Sequence, residues 1–124
     1  MAMPTYKDLD VYKRSYKLAL KLHSLVAKLL RELQYDLCDQ IRRASRSIAS
    51  NIAEAYGRNK SAKDKINFLG DSLGSNNEIL FNLEFMKDAG LITVNDYELL
   101  SVEYNIVGKQ LYNLIQSLKP KTIN

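Results

Sequence analysis

The sequence predicts an all-α fold, an antiparallel up-down four-helix bundle, and three observations carry that prediction. Apolar residues recur at three- and four-residue steps along nearly the whole chain. Strong helix breakers are scarce: the two prolines, Pro4 and Pro120, sit at the extremes, and only five glycines occur in 124 residues. Where breakers do cluster, they divide the periodic pattern into four long segments joined by short connections, which forces sequential neighbours to run antiparallel. A chain of this length fits a single domain spanning residues 1–124.

The first helix is expected over about residues 8–33, with Leu9, Tyr12, Tyr16, Ala19, Leu22, Val26, Leu29 and Leu33 on one face. Arg14, Lys17, Lys21, Lys28 and Arg31 recur on another. At 1.5 Å per residue this helix is roughly 40 Å long. Gln34-Tyr35-Asp36 reads as a break, with Asp36 placed to cap the second helix.

That helix is expected over about residues 37–56, with Leu37, Ile41, Ala44, Ile48, Ile52 and Ala55 facing inward and Gly57 supplying a left-handed C-terminal cap. Its small residues Ala44, Ser45, Ser47, Ala49, Ser50 and Ala53 let a neighbouring helix approach closely. Arg58-Asn59-Lys60 connects to a third helix over about residues 61–89. Ser61 starts it with Asp64 at the capping-box position, and Gly90 ends it. Its inward stripe is Ile66, Leu69, Leu73, Leu80, Leu83 and Met86, and beside it runs a second line, Gly70, Gly74, Asn77, Phe81 and Phe85. The fourth helix, over about residues 95–118, carries Tyr97, Leu100, Tyr104, Val107, Leu111, Leu114 and Leu118 before Pro120 stops it.

Composition excludes several function classes. Cys38 is the sole cysteine, so neither an intramolecular disulfide nor a cysteine zinc site is possible, and it reads as a small half-buried residue. His23 is the sole histidine and stands at the edge of the core without a second ligand or nucleophile nearby in sequence. No Glu-x-x-His pair of the di-iron kind occurs, nor a phosphate loop after a strand. The expectation is therefore no enzyme, no cofactor and no metal. No apolar run approaches the roughly 20 residues of a membrane span, and no targeting segment is recognisable, so a cytoplasmic place without a membrane partner is expected.

Charge is unevenly distributed. Residues 1–65 hold fourteen Lys/Arg against seven Asp/Glu, whereas residues 66–124 hold four against seven. The first half would attract polyanions. Arg42, Arg43, Arg46, Arg58, Lys60 and Lys63 cluster from the second helix through the following connection, and Arg14, Lys17 and Lys21 add a stripe on the first. Phosphate binding needs only such clustered cations. Solvated faces and salt bridges between subunits are the competing reading, and adjacent Arg42 and Arg43 point about 100° apart.

Residues 40–58 carry the most information: Gln-Ile-Arg-Arg-Ala-Ser-Arg-Ser-Ile-Ala-Ser-Asn-Ile-Ala-Glu-Ala-Tyr-Gly-Arg. Serine and asparagine compete for backbone hydrogen bonds inside helices, so Ser45, Ser47, Ser50 and Asn51 lower helix propensity. Tight packing or hydrogen bonding across an interface explains their presence, and Asn51, one residue before Ile52, is expected to be structural.

The segment resembles the signature of the 23S rRNA intervening-sequence protein family, roughly Q-I-R-R-A-x-x-S-I-x-x-N-I-A-E-G-x-G-R. Gln40, Ile41, Arg42, Arg43, Ala44, Ser47, Ile48, Asn51, Ile52, Ala53, Glu54, Gly57 and Arg58 match it. Phe68-Leu69, then Gly74-Ser75 with Glu78, extend the likeness, as do Leu9 and Tyr12, so that it covers most of the chain. Ala49 stands where the family often has proline and Ala55 where it has glycine, both favouring an uninterrupted helix. The resemblance implies an up-down four-helix bundle. Through a related branch, the accessory variability proteins of diversity-generating retroelements, it implies a homopentamer whose basic surface binds nucleic acid and a partner reverse transcriptase.

Two functional readings follow. The first is a non-enzymatic oligomer binding nucleic acid, RNA before DNA. The second is a structural or protein-interaction oligomer, suggested by Gly70, Gly74, Phe81 and Phe85 together with the apolar excess Leu99, Val102, Ile106 and Ile115 on the fourth helix.

Overall fold

The computed structural model describes residues 5–29 and 35–120. A 3-10 turn at Tyr6–Asp8 leads into four helices: α1 Asp10–Ala27, α2 Tyr35–Ala55, α3 Ala62–Asp88 and α4 Val94–Leu118. Among the described residues there is no strand.

The helix ends are made by local chemistry. At α3 the Ser61 hydroxyl accepts from the Asp64 amide at 3.1 Å, and the Asp64 carboxylate accepts from the Ser61 amide at 3.3 Å, the reciprocal capping box. Thr93 caps α4 by accepting from the Asp96 amide at 3.0 Å. Helix α3 closes on Gly90 at φ +74, where the Leu91 amide donates to the Met86 carbonyl at 2.8 Å and the Gly90 amide to Lys87 at 3.0 Å. This is the paired termination that a left-handed residue permits.

Three end expectations need correction. Gly57 does not take a left-handed conformation after α2; the left-handed residue of the connection is Asn59, at φ +59. Asp36 lies inside the first turn of α2, which begins at Tyr35, so it does not cap from outside. Helix α1 ends at Ala27, short of the expected Leu33. Leu33, Arg31 and Gln34 lie outside the described residues.

Each helix packs closely on two neighbours in the ring α1–α2–α3–α4, and the backbones of the diagonal pairs stand further apart. The cross-helix pairs run in opposite directions. Asp10 meets Gln110 at 2.6 Å, while Arg14, further along α1, meets Glu103 at 2.7 Å, earlier in α4. Ile48 pairs with Ser72 and Ser47 with Ser75. Asn76 pairs with Tyr104, and Lys87 sits over the Tyr97 ring. Sequential helices are therefore antiparallel.

The core holds Leu18, Leu22 and Val26 from α1; Ile41, Ile48 and Ile52 from α2; Leu69, Ile79, Leu83 and Met86 from α3; and Tyr104, Val107 and Leu111 from α4. The α2 stripe falls where the sequence places it, except that Leu37 is half-buried and Cys38 fully buried. On α1 the buried line is Val11, Ser15, Leu18, Leu22 and Val26, and Leu29 continues it past the helix end. Tyr12 and Ala19 are half-buried, and Tyr16 and His23 are exposed. This helix carries two apolar lines, and the polar Ser15 disguises the buried one; its hydroxyl is satisfied by the Tyr12 carbonyl at 3.1 Å.

On α3 the centre of the buried face is polar. Ser72 and Asn76 are fully buried, whereas Ile66, Leu73 and Leu80 are only half-buried. The Ser72 hydroxyl donates to the Ile48 carbonyl and the Asn76 amide nitrogen to the Tyr104 carbonyl, which offsets the cost of burying those donors. Asn76 Oδ1 is buried without a partner among the described residues. On α4, Ile115 is buried, not part of the exposed apolar excess.

Candidate functional site

The nine basic residues that the sequence singles out do not form one surface. Arg14 donates to Glu103 at 2.7 Å and lies 3.5 Å from Asp10. The Glu103 hydrogen bond raises the guanidinium above its ordinary value. The Gln110 amide, aided by Arg14, holds the Asp10 carboxyl below the usual carboxylate range, with desolvation opposing. Arg43 pairs with Asp39 one turn earlier. Lys60 lies 3.8 Å from Glu54 and 4.9 Å from the Phe68 ring centroid. These three are engaged within the fold.

Arg42 is half-buried, and its carbonyl accepts from Arg46 Nε at 3.3 Å. Lys17, Lys21, Arg46, Arg58 and Lys63 are exposed and form no ion pair among the described residues. They fall in three places. Lys17 and Lys21 are exposed on α1, with Lys21 lining the cleft towards α4. Arg46 lines the cleft between α1 and α2, and Arg58 and Lys63 lie in and just after the α2–α3 connection at one end of the bundle.

The motif residues of α2 form a seam against α3. Asn51 Nδ2 donates to both the carbonyl and the hydroxyl of Ser47, each at 2.9 Å, and the Ser75 hydroxyl donates to Ser47 Oγ at 3.0 Å. Ser72 Oγ donates to the Ile48 carbonyl at 2.8 Å one step deeper. Small side chains bring the two backbones close enough for these bonds. Gly57 closes the motif. Its amide donates to the Glu54 carbonyl at 3.1 Å, and a Cβ there would stand 3.3 Å from that same oxygen. The arrangement supplies positioning, with no nucleophile or acid–base pair in it.

Two apolar surfaces stand outside the core. Gly70, Gly74, Phe81 and Phe85 lie on the side of α3 opposite the buried Leu69, Ile79 and Leu83. Phe81 is 68% and Phe85 51% exposed, and a Cβ added at Gly70 or Gly74 would meet nothing within 4 Å. The second surface, which no sequence motif singled out, is an open groove of about 500 Å³ between α1 and α2. Ala49 and Ala53 form its α2 wall, Tyr16 and Leu20 its α1 wall, and His23 and Arg46 also line it. Tyr16 is 51% and Leu20 56% exposed. Of its α1 side, the sequence places Tyr12, Tyr16 and Ala19 on the inward face, whereas Tyr16 is exposed and Tyr12 and Ala19 are half-buried. On α4, Leu99 and Val102 are exposed and Ile106 half-buried.

Among the described residues no group of three or more His, Cys, Asp or Glu side chains is arranged to hold a metal. Cys38 is buried, and desolvation pushes its thiol up, away from the reactive thiolate. No helix among the described residues is long and apolar enough to cross a membrane.

A ring of four antiparallel helices, stitched by a polar α2–α3 seam and carrying its unpaired chemistry on outer faces, defines a helical-bundle module. The chain belongs to the 23S rRNA-intervening sequence protein family, whose model matches residues 7–113. It is also similar to a crystal structure of a protein with unknown function from the S23 ribosomal protein family of Bacteroides thetaiotaomicron. The two share 30% sequence identity with a TM-score of 0.79, over 86% of this chain and 95% of that one. No relative among curated proteins matches.

Proposed function

We propose that this chain is a non-enzymatic helical-bundle protein of the cytoplasm that associates with copies of itself and, so assembled, binds nucleic acid, RNA foremost. The observation that carries the reading is the set of large apolar side chains left exposed on faces away from the core, Phe81 and Phe85 above all. Exposed apolar surface rimmed by polar residues marks an interaction site.

Nucleic-acid binding rests on Lys17, Lys21, Arg46, Arg58 and Lys63, which retain unpaired charge. Divided among three places, they make a weak site on one copy. Repetition around an oligomer multiplies the contacts through effective concentration. The pentameric state and a reverse-transcriptase partner rest on the resemblance alone.

If those five cations contact phosphates, binding to single-stranded RNA falls with salt along a log–log slope of roughly −3.5, with little dependence on sequence. Arg58→Ala combined with Lys63→Ala flattens that slope by about 1.4 and weakens all sequences alike. Fluorescence anisotropy across a salt series, with the variant's mass checked alongside, measures it. An intact oligomer with an unchanged slope rules out this connection as a phosphate contact.

The alternative, an assembly with no nucleic-acid role, is favoured by the internal ion pairs of Arg14, Arg43 and Lys60. It predicts an oligomer that releases RNA at every salt concentration.

A further inference from the structure

We propose that the α1–α2 groove holds an unpaired base of single-stranded RNA, stacked on the Tyr16 ring with its phosphate on Arg46. The inference rests on the nucleic-acid reading above, in which assembly makes contacts that are weak on one copy count together. Three observations support it.

The first is the aromatic surface. The Tyr12 and Tyr16 rings both line the groove, with centroids 6.0 Å apart and planes tilted by 30°. Tyr6 meets Tyr12 edge-on at 4.9 Å. Tyr12, half-buried and engaged by two rings, is the support, and Tyr16, 51% exposed, is the ring left open to a further partner. Ala49 and Ala53 on the α2 wall carry only methyl groups, so they leave the ring uncovered. The groove, at about 500 Å³, falls within the roughly 300–1,000 Å³ of small-ligand sites. Flat rings stack on such a platform, and every base offers one.

The second is charge. Arg46 and His23 line the groove, and no carboxylate does. Arg46 Nε donates to the Arg42 carbonyl at 3.3 Å, while the terminal guanidinium nitrogens have no partner among the described residues. A guanidinium offers a fork of donors that matches a phosphate. The cleft between α1 and α4 differs, because Asp96 and Glu103 line it together with Lys21 and Lys28. An uncharged apolar segment would cover Tyr16 and leave Arg46 unmatched; a nucleotide engages both.

The third is spacing. Cys38 Sγ donates to the Val26 carbonyl at 3.5 Å, which sets the antiparallel register of α1 and α2. Counting away from that contact in opposite directions brings Ala49 level with the turn that holds Tyr16. Arg46, three residues earlier, therefore lies roughly 5 Å along the groove from the ring. A stacking surface and a phosphate-binding group one turn apart suit the base and the phosphate of one nucleotide, with the sugar between them.

Fluorescence anisotropy with labelled single-stranded oligoadenylate RNA and with duplex RNA tests this. Tyr16→Ala weakens single-strand binding about 5- to 150-fold per stacked base at every salt concentration, and leaves the salt slope unchanged. Duplex binding stays at the wild-type level, since paired bases offer no free face. Tyr16→Phe binds as the wild type does, whereas Tyr16→Leu, which keeps apolar bulk without a ring, loses affinity as the alanine does. Arg46→Ala instead flattens the single-strand slope by about 0.7. Circular dichroism and light scattering verify helix content and mass, and Tyr16→Leu stands in for Tyr16→Ala if the latter loses helix. The inference is overturned if the wild type binds single strands and Tyr16→Ala binds them equally well, or if Tyr16→Leu restores affinity. It is also overturned if Tyr16→Ala changes the mass, because the groove is then covered by a second copy. A wild type that binds no RNA overturns the nucleic-acid reading as a whole.

Discussion

Ile48→Ala is expected to lower the unfolding free energy by about 2–5 kcal/mol, the range for truncating a large aliphatic side chain in a packed core. Ile48 is fully buried at the middle of α2, and its carbonyl accepts the Ser72 hydroxyl from α3 at 2.8 Å. That bond and the Ser75–Ser47 contact hold the two backbones at a fixed separation, so the vacated space has little freedom to collapse. The loss belongs in the upper half of the range for that reason. Urea denaturation at one fixed protein concentration measures it, since association couples to apparent stability. Lys109→Ala, on an exposed side of α4, serves as the control and shifts stability by no more than about 0.5 kcal/mol. A loss at Ile48 no larger than that of the control would show that the α2–α3 seam does not lie in the core.

The second large effect is on alkaline stability. Tyr104 is fully buried in α4, and its hydroxyl has no hydrogen-bond partner among the described residues. Burial in an apolar environment disfavours the phenolate and raises the folded-state pKa well above the ordinary 10.0. Between the unfolded and folded values the native state holds a proton that the unfolded state has lost. Stability is therefore fully present below about pH 10 and declines above it by about 1.4 kcal/mol per pH unit from this residue alone. Tyr104→Phe removes both the titration and the unpartnered hydroxyl. The variant is expected to match or exceed wild-type stability at pH 7, because deleting a buried group without a partner recovers part of its desolvation penalty, about 1–3 kcal/mol. Its melting temperature should then fall less steeply between pH 10 and 11.5. Parallel alkaline limbs for the two proteins would mean that the hydroxyl reaches solvent or a partner.

The parts of this fold that were legible in the sequence are those fixed by local chemistry. Ser61 and Asp64 announce the start of α3, Gly90 its end and Pro120 the limit of α4, because each acts on backbone within a few residues of itself. The α2 stripe was legible because Ile41, Ile48 and Ile52 are the large apolar residues in an otherwise small and polar stretch. The first-helix stripe was legible at Leu22, Val26 and Leu29 but not at Tyr16, because the first half of α1 offers two apolar lines of similar period. Choosing between them depends on which line faces α4, information located elsewhere in the chain. The buried Ser72 and Asn76 are of the same kind. The Ser72 hydroxyl and the Asn76 amide nitrogen are satisfied by the Ile48 and Tyr104 carbonyls, whose positions only the assembled bundle defines. Dispersal of the basic cluster was equally hidden: Arg14 is neutralised by Glu103, 89 residues away. Arg43 differs, since Asp39 lies one turn earlier and the pair satisfies ordinary helical spacing.

Everything proposed for this protein depends on the exposed apolar faces meeting other copies. Light scattering coupled to size exclusion, on the wild-type chain at tens of micromolar and moderate salt, tests that dependence most directly. The account predicts a single species whose mass is an integral multiple, two or greater, of 14.2 kDa. A mass of 14.2 kDa across that concentration range would contradict it.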